Sequence, residues 1–376
     1  MIALLLLMGA HWESPRVPPG AAAPSGLAGM KASDCGACHQ EIYKEWQVSV
    51  HAHAWTDVQF QKELAKDPEV GWVCINCHTP AADQQAEIAV ATGDVRNPER
   101  SENPNFSSEW QQEGITCMSC HWGEEGAIRG PYGDTSAPHP VQHDPGLQDS
   151  ELCMSCHQAV ARVEDTLVCS FNTGVEWQES GSEASCQSCH MPKVERPLLP
   201  GGPVREVRQH LFLGSGIPKD ALEPHEADYY ALFQSGLDVR LELPDAAAPG
   251  SLVQGTLTLH NARADHYVPS GDPERYLLAQ IQVRDAQGEL LSQSTARIGQ
   301  RWIWWPKAER LADNRIAPDE SRELPLSFAM PEGAVNVSVL VEHYRISPEN
   351  AAYHELDGYP IKKEIAAFTQ SLSPTR

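Results

Sequence analysis

Five short segments of the chain share the frame Cys-x-x-Cys-His, and together they use ten of the eleven cysteines. Two copies read CMSCH and the other three differ in the middle positions, so the frame is repeated and its filling is not. The cysteine pairs are Cys35 and Cys38, Cys74 and Cys77, Cys117 and Cys120, Cys153 and Cys156, and Cys186 and Cys189. The histidines that follow them are His39, His78, His121, His157 and His190.

This frame is the attachment site of c-type haem, in which two thiols form thioethers with the porphyrin and the histidine is an axial ligand of the iron. Zinc sites and thiol redox motifs share the Cys-x-x-Cys part, but neither requires a histidine in fifth place at every copy. We therefore predict five covalently bound haems. Cys169 lies outside the frame, and we interpret it as a buried apolar thiol.

The motifs follow one another too closely for each to have its own folded domain. Their first cysteines lie 39, 43, 36 and 33 residues apart, and segments below about 40 residues rarely fold alone. We therefore expect the haems to pack against one another in one core. Neighbouring porphyrins near contact exchange electrons by tunnelling, so this arrangement predicts electron conduction from one surface to another.

The histidines outside the motifs decide whether any iron stays open. An iron with two axial histidines only transfers electrons, whereas an open sixth position binds substrate. Eleven further histidines are present, enough for five bis-histidine haems. We interpret residues 41–55 as one helix, on which His51 and His53 face nearly opposite sides and cannot bind the same iron. We favour His51 as a ligand, and His53 then binds a different iron or covers a propionate.

The remaining candidate ligands lie in loops or at a helix start. His139 and His143 belong to the proline-rich loop APHPVQHDP, which fits stiffly placed ligands or an exposed loop. His210 comes twenty residues after the last motif and is a candidate ligand. His225 also fits a plain helix start. His266 fits either a ligand that reaches a haem across a domain boundary or a loop cap.

From about residue 232 the pattern changes to short segments that alternate apolar and polar residues, with turn sequences between them. Regular short strands of this kind indicate an antiparallel β-sandwich. The strands are predicted within GLDVRLEL, GTLTLHN, LLAQIQVRD and AVNVSVLVEHY. Without a haem motif, this region is interpreted as a docking or shielding module. The tryptophans of RIGQRWIWWP fit either porphyrin edges or the core of the sandwich.

The predicted fold class is mixed: a haem-packed, mainly helical and loop-rich N-terminal multihaem domain plus an all-β, immunoglobulin-like sandwich. The opening MIALLLLMGA is apolar but too short to span a bilayer, and proline, alanine and glycine are frequent after it. The predicted divisions are a signal remnant and linker (1–30), a pentahaem cytochrome c domain (31–231), a β-sandwich domain (232–350) and a C-terminal tail (351–376).

Charge limits the classes of partner. The chain has 51 acidic and 28 basic residues, a formal net charge of -23. Such a surface repels nucleic acid and anionic membranes. We expect a redox protein as donor and another as acceptor, each with a basic or neutral docking face.

The segments CGACHQEIYKEWQVSVHAHA, CQSCHMP and RQHLFLGS resemble multihaem cytochromes grouped with the tetrahaem cytochrome that takes electrons from hydroxylamine oxidoreductase. The resemblance covers roughly residues 33 to 215 and implies mostly bis-histidine haems, stacked in parallel and perpendicular pairs. It also implies that His51 and His210 are distal ligands. The segments DHYVPSGDPER and DNRIAPDESR look like a sandwich appended to some multihaem cytochromes. The chain has one motif more than the tetrahaem member, so the haem order of that member does not carry over.

An electron carrier is favoured over an enzyme. Nitrite-reducing pentahaem relatives have lysine in one motif, and no Cys-x-x-Cys-Lys is present. The alternatives are a haem oxidoreductase of a small nitrogen or sulfur compound, with one open haem, and a self-associating subunit of an extracellular cytochrome filament. Family analogy places haem attachment outside the cytoplasm, so a periplasmic or extracellular location at the cell surface is predicted.

Overall fold

The computed structural model of the protein describes residues 15–132 and 136–375. The chain forms two units, each built from segments that are separate in sequence. Unit 1 contains the described residues up to Ser170 together with Ser182–Phe233 and His354–Pro360. Unit 2 contains Phe171–Gly181, Gln234–Tyr353 and the described residues from Ile361 onward.

The helices of the described residues are all short. They are Ala32–Gly36 (α1), Gln40–Gln47 (α2), Val58–Lys66 (α3), Gly71–His78 (α4), Ser108–Gln111 (α5), Met118–His121 (α6), Ser150–His157 (α7), Thr173–Ser180 (α8), Cys186–His190 (α9), Pro224–Tyr230 (α10) and Pro348–Tyr353 (α11). Single turns of 3₁₀ helix occur at Ala82–Gln84, Glu124–Gly126 and Pro145–Gln148. Local capping explains several ends: Asp57 and Ser107 accept backbone hydrogen bonds at the start of α3 and α5.

The strands are Glu87–Ala91 (β1), Glu99–Glu102 (β2), Ile128–Gly130 (β3), Val141–His143 (β4), Ala159–Val163 (β5), Thr166–Phe171 (β6), Lys193–Pro197 (β7), Val204–Arg208 (β8), Leu237–Glu242 (β9), Ala246–Ala247 (β10), Leu252–Asn261 (β11), Tyr276–Asp285 (β12), Leu290–Ile303 (β13), Glu309–Asp313 (β14), Ser321–Ala329 (β15), Val335–Tyr344 (β16) and Lys362–Pro374 (β17). The first eight strands form two-stranded sheets, in which β1 pairs with β2, β3 with β4, β5 with β6, and β7 with β8.

Unit 2 is dominated by two sheets that share one apolar core. One sheet has the order β10-β17-β16-β12-β13-β14 and the other β15-β11-β9. The pairing is antiparallel except for the two-residue β10, which runs parallel to β17. Leu257, Ile281 and Val337 come from different strands and belong to one buried cluster of nineteen residues. The alternating pattern predicted this all-β region because one face of each strand is buried.

Two predicted boundaries are wrong. Residues 351–376 are not a tail, because β17 pairs with β16 along ten residues from Lys362 to Leu372. Residues 15–30, predicted as part of a signal remnant and linker, contain residues that pack within unit 1. Val17 is 1% exposed and forms a β-bridge with Ala81, and the Arg16 backbone N–H donates to the Pro80 carbonyl at 2.7 Å. The opening residues 1–14, interpreted as a signal remnant, lie outside the described residues.

The predicted helix over residues 41–55 is also wrong in its second half. Helix α2 ends at Gln47, and turns follow as far as residue 56. The Val50 N–H donates to the Phe212 carbonyl at 3.1 Å, and the His51 carbonyl accepts from the Ile115 N–H at 3.0 Å. These tertiary hydrogen bonds replace those that a continuing helix would make. Within the described residues, no helix combines the length and the apolar composition needed to cross a membrane.

Candidate functional site

Each Cys-x-x-Cys-His motif forms about one helical turn. Helices α4, α6, α7 and α9 each end at the histidine of their motif. The first motif lies at the junction of α1 and α2, where the His39 N–H donates to the Cys35 carbonyl at 2.9 Å. Residues three and four apart share one face of a helix. The two sulfurs and the imidazole of each motif therefore lie on one side, as attachment to one porphyrin requires.

Thiols of different motifs lie within hydrogen-bonding distance of one another. The three pairs are Cys35 with Cys117, Cys77 with Cys156, and Cys153 with Cys186. No disulfide joins any two of the eleven cysteines, all of which lie within the described residues. The hydrogen bond with Cys153 lowers the pKa of Cys186 to about 6. These contacts join motif one to motif three, and motif four to both motif two and motif five. Cys120 of motif three lies close enough to Cys156 of motif four for its pKa to be affected, so the five motifs form one group in space.

Two motif histidines are oriented by backbone carbonyls. His78 Nδ1 lies 2.7 Å from the Ala54 carbonyl oxygen, and His121 Nδ1 lies 2.7 Å from the Arg129 carbonyl oxygen. A ring nitrogen that donates to a carbonyl fixes the tautomer and leaves Nε2 as the metal ligand. Burial lowers the pKa of His78 to about 4, which keeps this imidazole neutral and able to bind a metal.

Two histidines from outside the motifs face motif histidines at nearly identical separations. The ring centres of His51 and His157 lie 6.3 Å apart, and those of His121 and His210 also lie 6.3 Å apart. Two imidazoles on opposite sides of one metal have ring centres about 6.4 Å apart, since each nitrogen lies about 2.0 Å from the metal and about 1.2 Å from its own ring centre. The spacing of both pairs thus fits one iron between two imidazoles.

The pKa values of His51 and His210 also fit a role as iron ligands. Burial and the nearby imidazoles of His157 and His78 lower the pKa of His51 to about 3. Burial and the His121 imidazole lower the pKa of His210 to about 3. Both rings are therefore neutral at physiological pH, which is the form that coordinates iron.

His139 lies beside the first motif. The pKa of His39 is lowered by burial and by the nearby imidazoles of His139 and His121. The loop that contains His139 is therefore close to the first motif, and Gly26 closely approaches the Pro138 carbonyl in the same loop. Its neighbour His143 is exposed and ends strand β4, which pairs with β3, so it belongs to a short sheet where a loop was predicted.

None of the described ring contacts joins His53, His143 or His225 to a motif histidine. His53 lines a cleft of about 330 Å³ together with Asp57, Lys219 and Tyr359. His225 lies in α10, as the predicted helix start implies, and lines a second cleft of about 570 Å³. His266 belongs to unit 2, where its Nδ1 lies 2.9 Å from the Tyr267 carbonyl oxygen. The motif histidines His157 and His190 end their helices and are exposed.

Several residues near the motifs were not identified from the sequence. Phe60 stacks on His78 with ring centres 3.8 Å apart, and Phe212 packs on His51 at 4.4 Å. Arg16 donates to the Ser119 carbonyl at 3.1 Å and lies 3.4 Å from Cys156 Sγ. An aromatic residue in an apolar segment indicates an ordinary core position, and an arginine in a proline-rich segment indicates solvent exposure. The sequence pattern therefore did not distinguish Phe60, Phe212 and Arg16 as residues near the motifs.

Trp302 of strand β13, and Trp304 and Trp305 directly after it, were predicted to cover a porphyrin edge or to pack in the core of the sandwich. The core interpretation is wrong for Trp304 and Trp305, which are 42% and 82% exposed. Trp302 stacks on Trp304 with ring centres 5.4 Å apart. Arg297 lies over the Tyr276 ring within unit 2.

The packing of unit 1 also fits covalently bound haem. Its described buried apolar clusters are small: one has five members, including Val17, Trp110 and Met118, and another has three, including Trp46. Unit 2 has fewer residues, yet its cluster has nineteen members. A unit of this length normally has one contiguous core. Haem groups bound at the motifs would fill the space that such a core normally occupies. The thiols and the paired imidazoles provide the sulfur and nitrogen atoms that bind haem.

Comparison with known proteins points in the same direction. The family model described as cytochrome c554 and c-prime matches residues 34–122, which contain the first three motifs. The fold is similar to that of a penta-heme cytochrome c552 from Thermochromatium tepidum, with a TM-score of 0.65, 18% sequence identity, and coverage of 93% of this chain and 100% of that chain. At this identity the likeness shows the fold alone. No curated protein matches the sequence.

Two other solved structures are similar only over a minor part of this chain. The CARDB domain of PF1109 from Pyrococcus furiosus has a TM-score of 0.21 and 15% identity, covering 38% of this chain and 93% of that chain. A β-glucuronidase from Bacteroides uniformis has a TM-score of 0.20 and 10% identity, covering 36% of this chain and 13% of that chain. These scores are too low to support a functional comparison.

Proposed function

We propose that the protein is a pentahaem c-type cytochrome that conducts electrons through closely packed, mostly bis-histidine haems. The observation that carries this proposal is the 6.3 Å spacing of two imidazole pairs, each formed by a motif histidine and a histidine from a distant segment. The family match over the first three motifs and the fold shared with a penta-heme cytochrome support it.

The proposed ligands follow from the contacts. Each motif holds one haem through two thioethers and its own histidine. His51 is the second ligand for the haem of motif four, and His210 is the second ligand for the haem of motif three. His139, whose imidazole is near enough to lower the pKa of His39, is the proposed second ligand for the haem of motif one. Iron held in this way supplies one-electron redox chemistry, and the protein sets the potential through ligands, burial and charge.

The thiol contacts suggest a path for electrons. Motifs one and three are in contact, and motif four contacts both motif two and motif five. Cys120 of motif three lies close enough to Cys156 of motif four for its pKa to be affected. The proposed path therefore runs from motif one through motifs three and four and branches to motifs two and five, so motifs one, two and five form its ends.

Partners and location follow from charge and attachment chemistry. The net charge of -23 favours redox partners with basic or neutral docking faces. We propose a periplasmic or cell-surface location, because attachment of this kind requires export by analogy with the resembled family. By the same likeness the donor is an oxidoreductase of a small nitrogen compound. The two sheets of unit 2 share one core, which supports an immunoglobulin-like sandwich that docks a partner or shields the haems.

The proposal is tested by counting haems in full-length protein made in a host with haem-attachment machinery. We expect covalent haem staining on a denaturing gel and five haems per chain in the pyridine haemochrome assay. Serine at both Cys153 and Cys156 removes one of the five, whereas Cys169→Ser leaves the count unchanged. A chain without covalent haem, or an equal loss from Cys169→Ser, contradicts the proposal.

The spectrum separates the alternatives. Low-spin signals from every haem support an electron carrier. A high-spin signal in the resting protein, with substrate binding at that iron, indicates the oxidoreductase of a small nitrogen or sulfur compound. Concentration-dependent growth of long assemblies in size-exclusion chromatography indicates a filament subunit.

A further inference from the structure

Glu45 is a buried carboxylate that no motif explains. It lies on α2 and is 2% exposed. A buried charge is costly unless it is paired and hydrogen-bonded. Arg196 provides the pair: its Nη1 and Nη2 donate to the two Glu45 oxygens at 2.6 and 2.8 Å. This two-point contact fixes the plane of the carboxylate.

The same carboxylate holds the segment that contains His210. The His210 backbone N–H donates to Glu45 Oε2 at 2.9 Å, and Gln209 Nε2 donates to Oε1 at 3.4 Å. His210 follows strand β8 and lies in a segment without helix or strand, so secondary structure does not hold this N–H. Four donors from two segments therefore converge on one carboxylate.

The side chain of His210 is oriented by the same segment. Its Nδ1 lies 3.1 Å from the Arg208 carbonyl oxygen, and Arg208 Nη1 donates to the Gln187 and Met191 carbonyls at 2.8 and 3.0 Å. With Nδ1 directed to a carbonyl, Nε2 is the nitrogen that remains for a metal. The ring then faces His121 at 6.3 Å.

We propose that Glu45, fixed by Arg196, is a positioning residue that holds His210 as the axial ligand opposite His121. This inference rests on the proposed function. Both charges lie beside that ligand, so each one affects the potential of the iron of motif three, with opposite sign, and in the intact pair the two effects largely cancel. Removing either charge leaves the other uncompensated at low exposure, so the two removals shift this potential in opposite directions.

The test compares Glu45→Gln, Arg196→Gln and Glu41→Gln in full-length protein with its haems. Glu41 is the matched control, because it lies on the same helix and its removal changes the net charge equally, but it is 56% exposed and pairs with Lys44. Potentiometric titration followed by visible and EPR spectroscopy reads each haem. We expect Glu45→Gln to raise the reduction potential of one haem and Arg196→Gln to lower the potential of the same haem. Each shift is expected to be about 59 mV, which is about tenfold in the redox equilibrium of that haem.

Glu45→Gln is also expected to loosen His210, so that one haem of the reduced protein binds carbon monoxide and one high-spin signal appears. Potentials and spectra that match Glu41→Gln overturn the inference. So does a shift of both variants in one direction, which a purely structural role produces. If Glu45→Gln does not fold, Arg196→Gln alone tests the inference. A lowered potential of one haem supports it, and a raised or unchanged potential contradicts it. A wild-type protein without covalent haem contradicts the proposed function instead and is recognised by the haem count alone.

Discussion

Replacing His51 by alanine tests which of the two neighbouring histidines binds iron. The His51 ring faces His157 at 6.3 Å, whereas His53 lines a cleft with Asp57 and Tyr359. The His51 carbonyl accepts hydrogen bonds from the Ala54 and Ile115 N–H groups. These bonds do not involve the side chain, so the turn keeps them in the variant. We expect a stability loss of about 1–3 kcal/mol, because the contact with the Phe212 ring disappears.

The spectroscopic effect is larger and can be counted. For the five haems per chain that we propose, the loss of one axial imidazole converts one fifth of the iron from low spin to high spin. Carbon monoxide titration of the reduced His51→Ala protein is therefore expected to bind one molecule per chain more than the wild type. His53→Ala is the matched control and is expected to bind the same amount as the wild type. Extra binding by His53→Ala, or no extra binding by His51→Ala, refutes the assignment of His51.

Three further predictions concern stability. Glu176 and Arg315 form a buried pair at 2.6 Å, and Arg315 also pairs with Asp313 at 2.9 Å. Glu176→Gln therefore leaves Arg315 with one carboxylate partner and is expected to cost about 1–3 kcal/mol in urea denaturation, and an unchanged stability contradicts this. Burial raises the pKa of Glu113 from 4.5 to about 7, so the folded state binds more protons in this range and stability falls as the pH rises through it. Glu113→Gln is expected to flatten that dependence, measured by denaturation at several pH values between those limits, and an unchanged slope contradicts this. The Tyr359 hydroxyl donates to Asp57 Oδ1 at 2.6 Å, so Tyr359→Phe is expected to cost about 1.5–3 kcal/mol, and a melting temperature equal to that of wild type contradicts this.

The parts of the fold that follow local rules were predictable from the sequence. Attachment to one porphyrin fixes the spacing within each motif, and the short turns of α4, α6, α7 and α9 follow from it. The strands of unit 2 were identified because burial of one face imposes alternation. His51 and His210 were selected as ligands, and both lie against motif histidines.

The failures have a common physical cause, which is pairing between residues distant in the chain. The helix over 41–55 stops early because Val50 and His51 bond to residues 212 and 115. The predicted tail is a strand because β16 offers it a partner. Glu45 reads as the solvent face of an amphipathic helix, and only the folded chain brings Arg196 and His210 to it. Sequence patterns describe neighbours within a few positions and contain no signal for such pairs.

Segments of the two units alternate along the chain, and this affects how the protein folds during its synthesis. Residues 171–181 belong to unit 2 but emerge from the ribosome before the fifth motif. Glu176 can pair with Arg315 only after 139 further residues have been translated. Unit 1 in turn receives its last segment only when Tyr359 reaches Asp57, 302 positions later. Unit 1 therefore cannot complete its fold before residue 360 has been translated, and unit 2 cannot do so before the residues of β17 have been translated. No single cut yields either unit intact, because a cut after residue 233 separates unit 1 from residues 354–360 and unit 2 from residues 171–181.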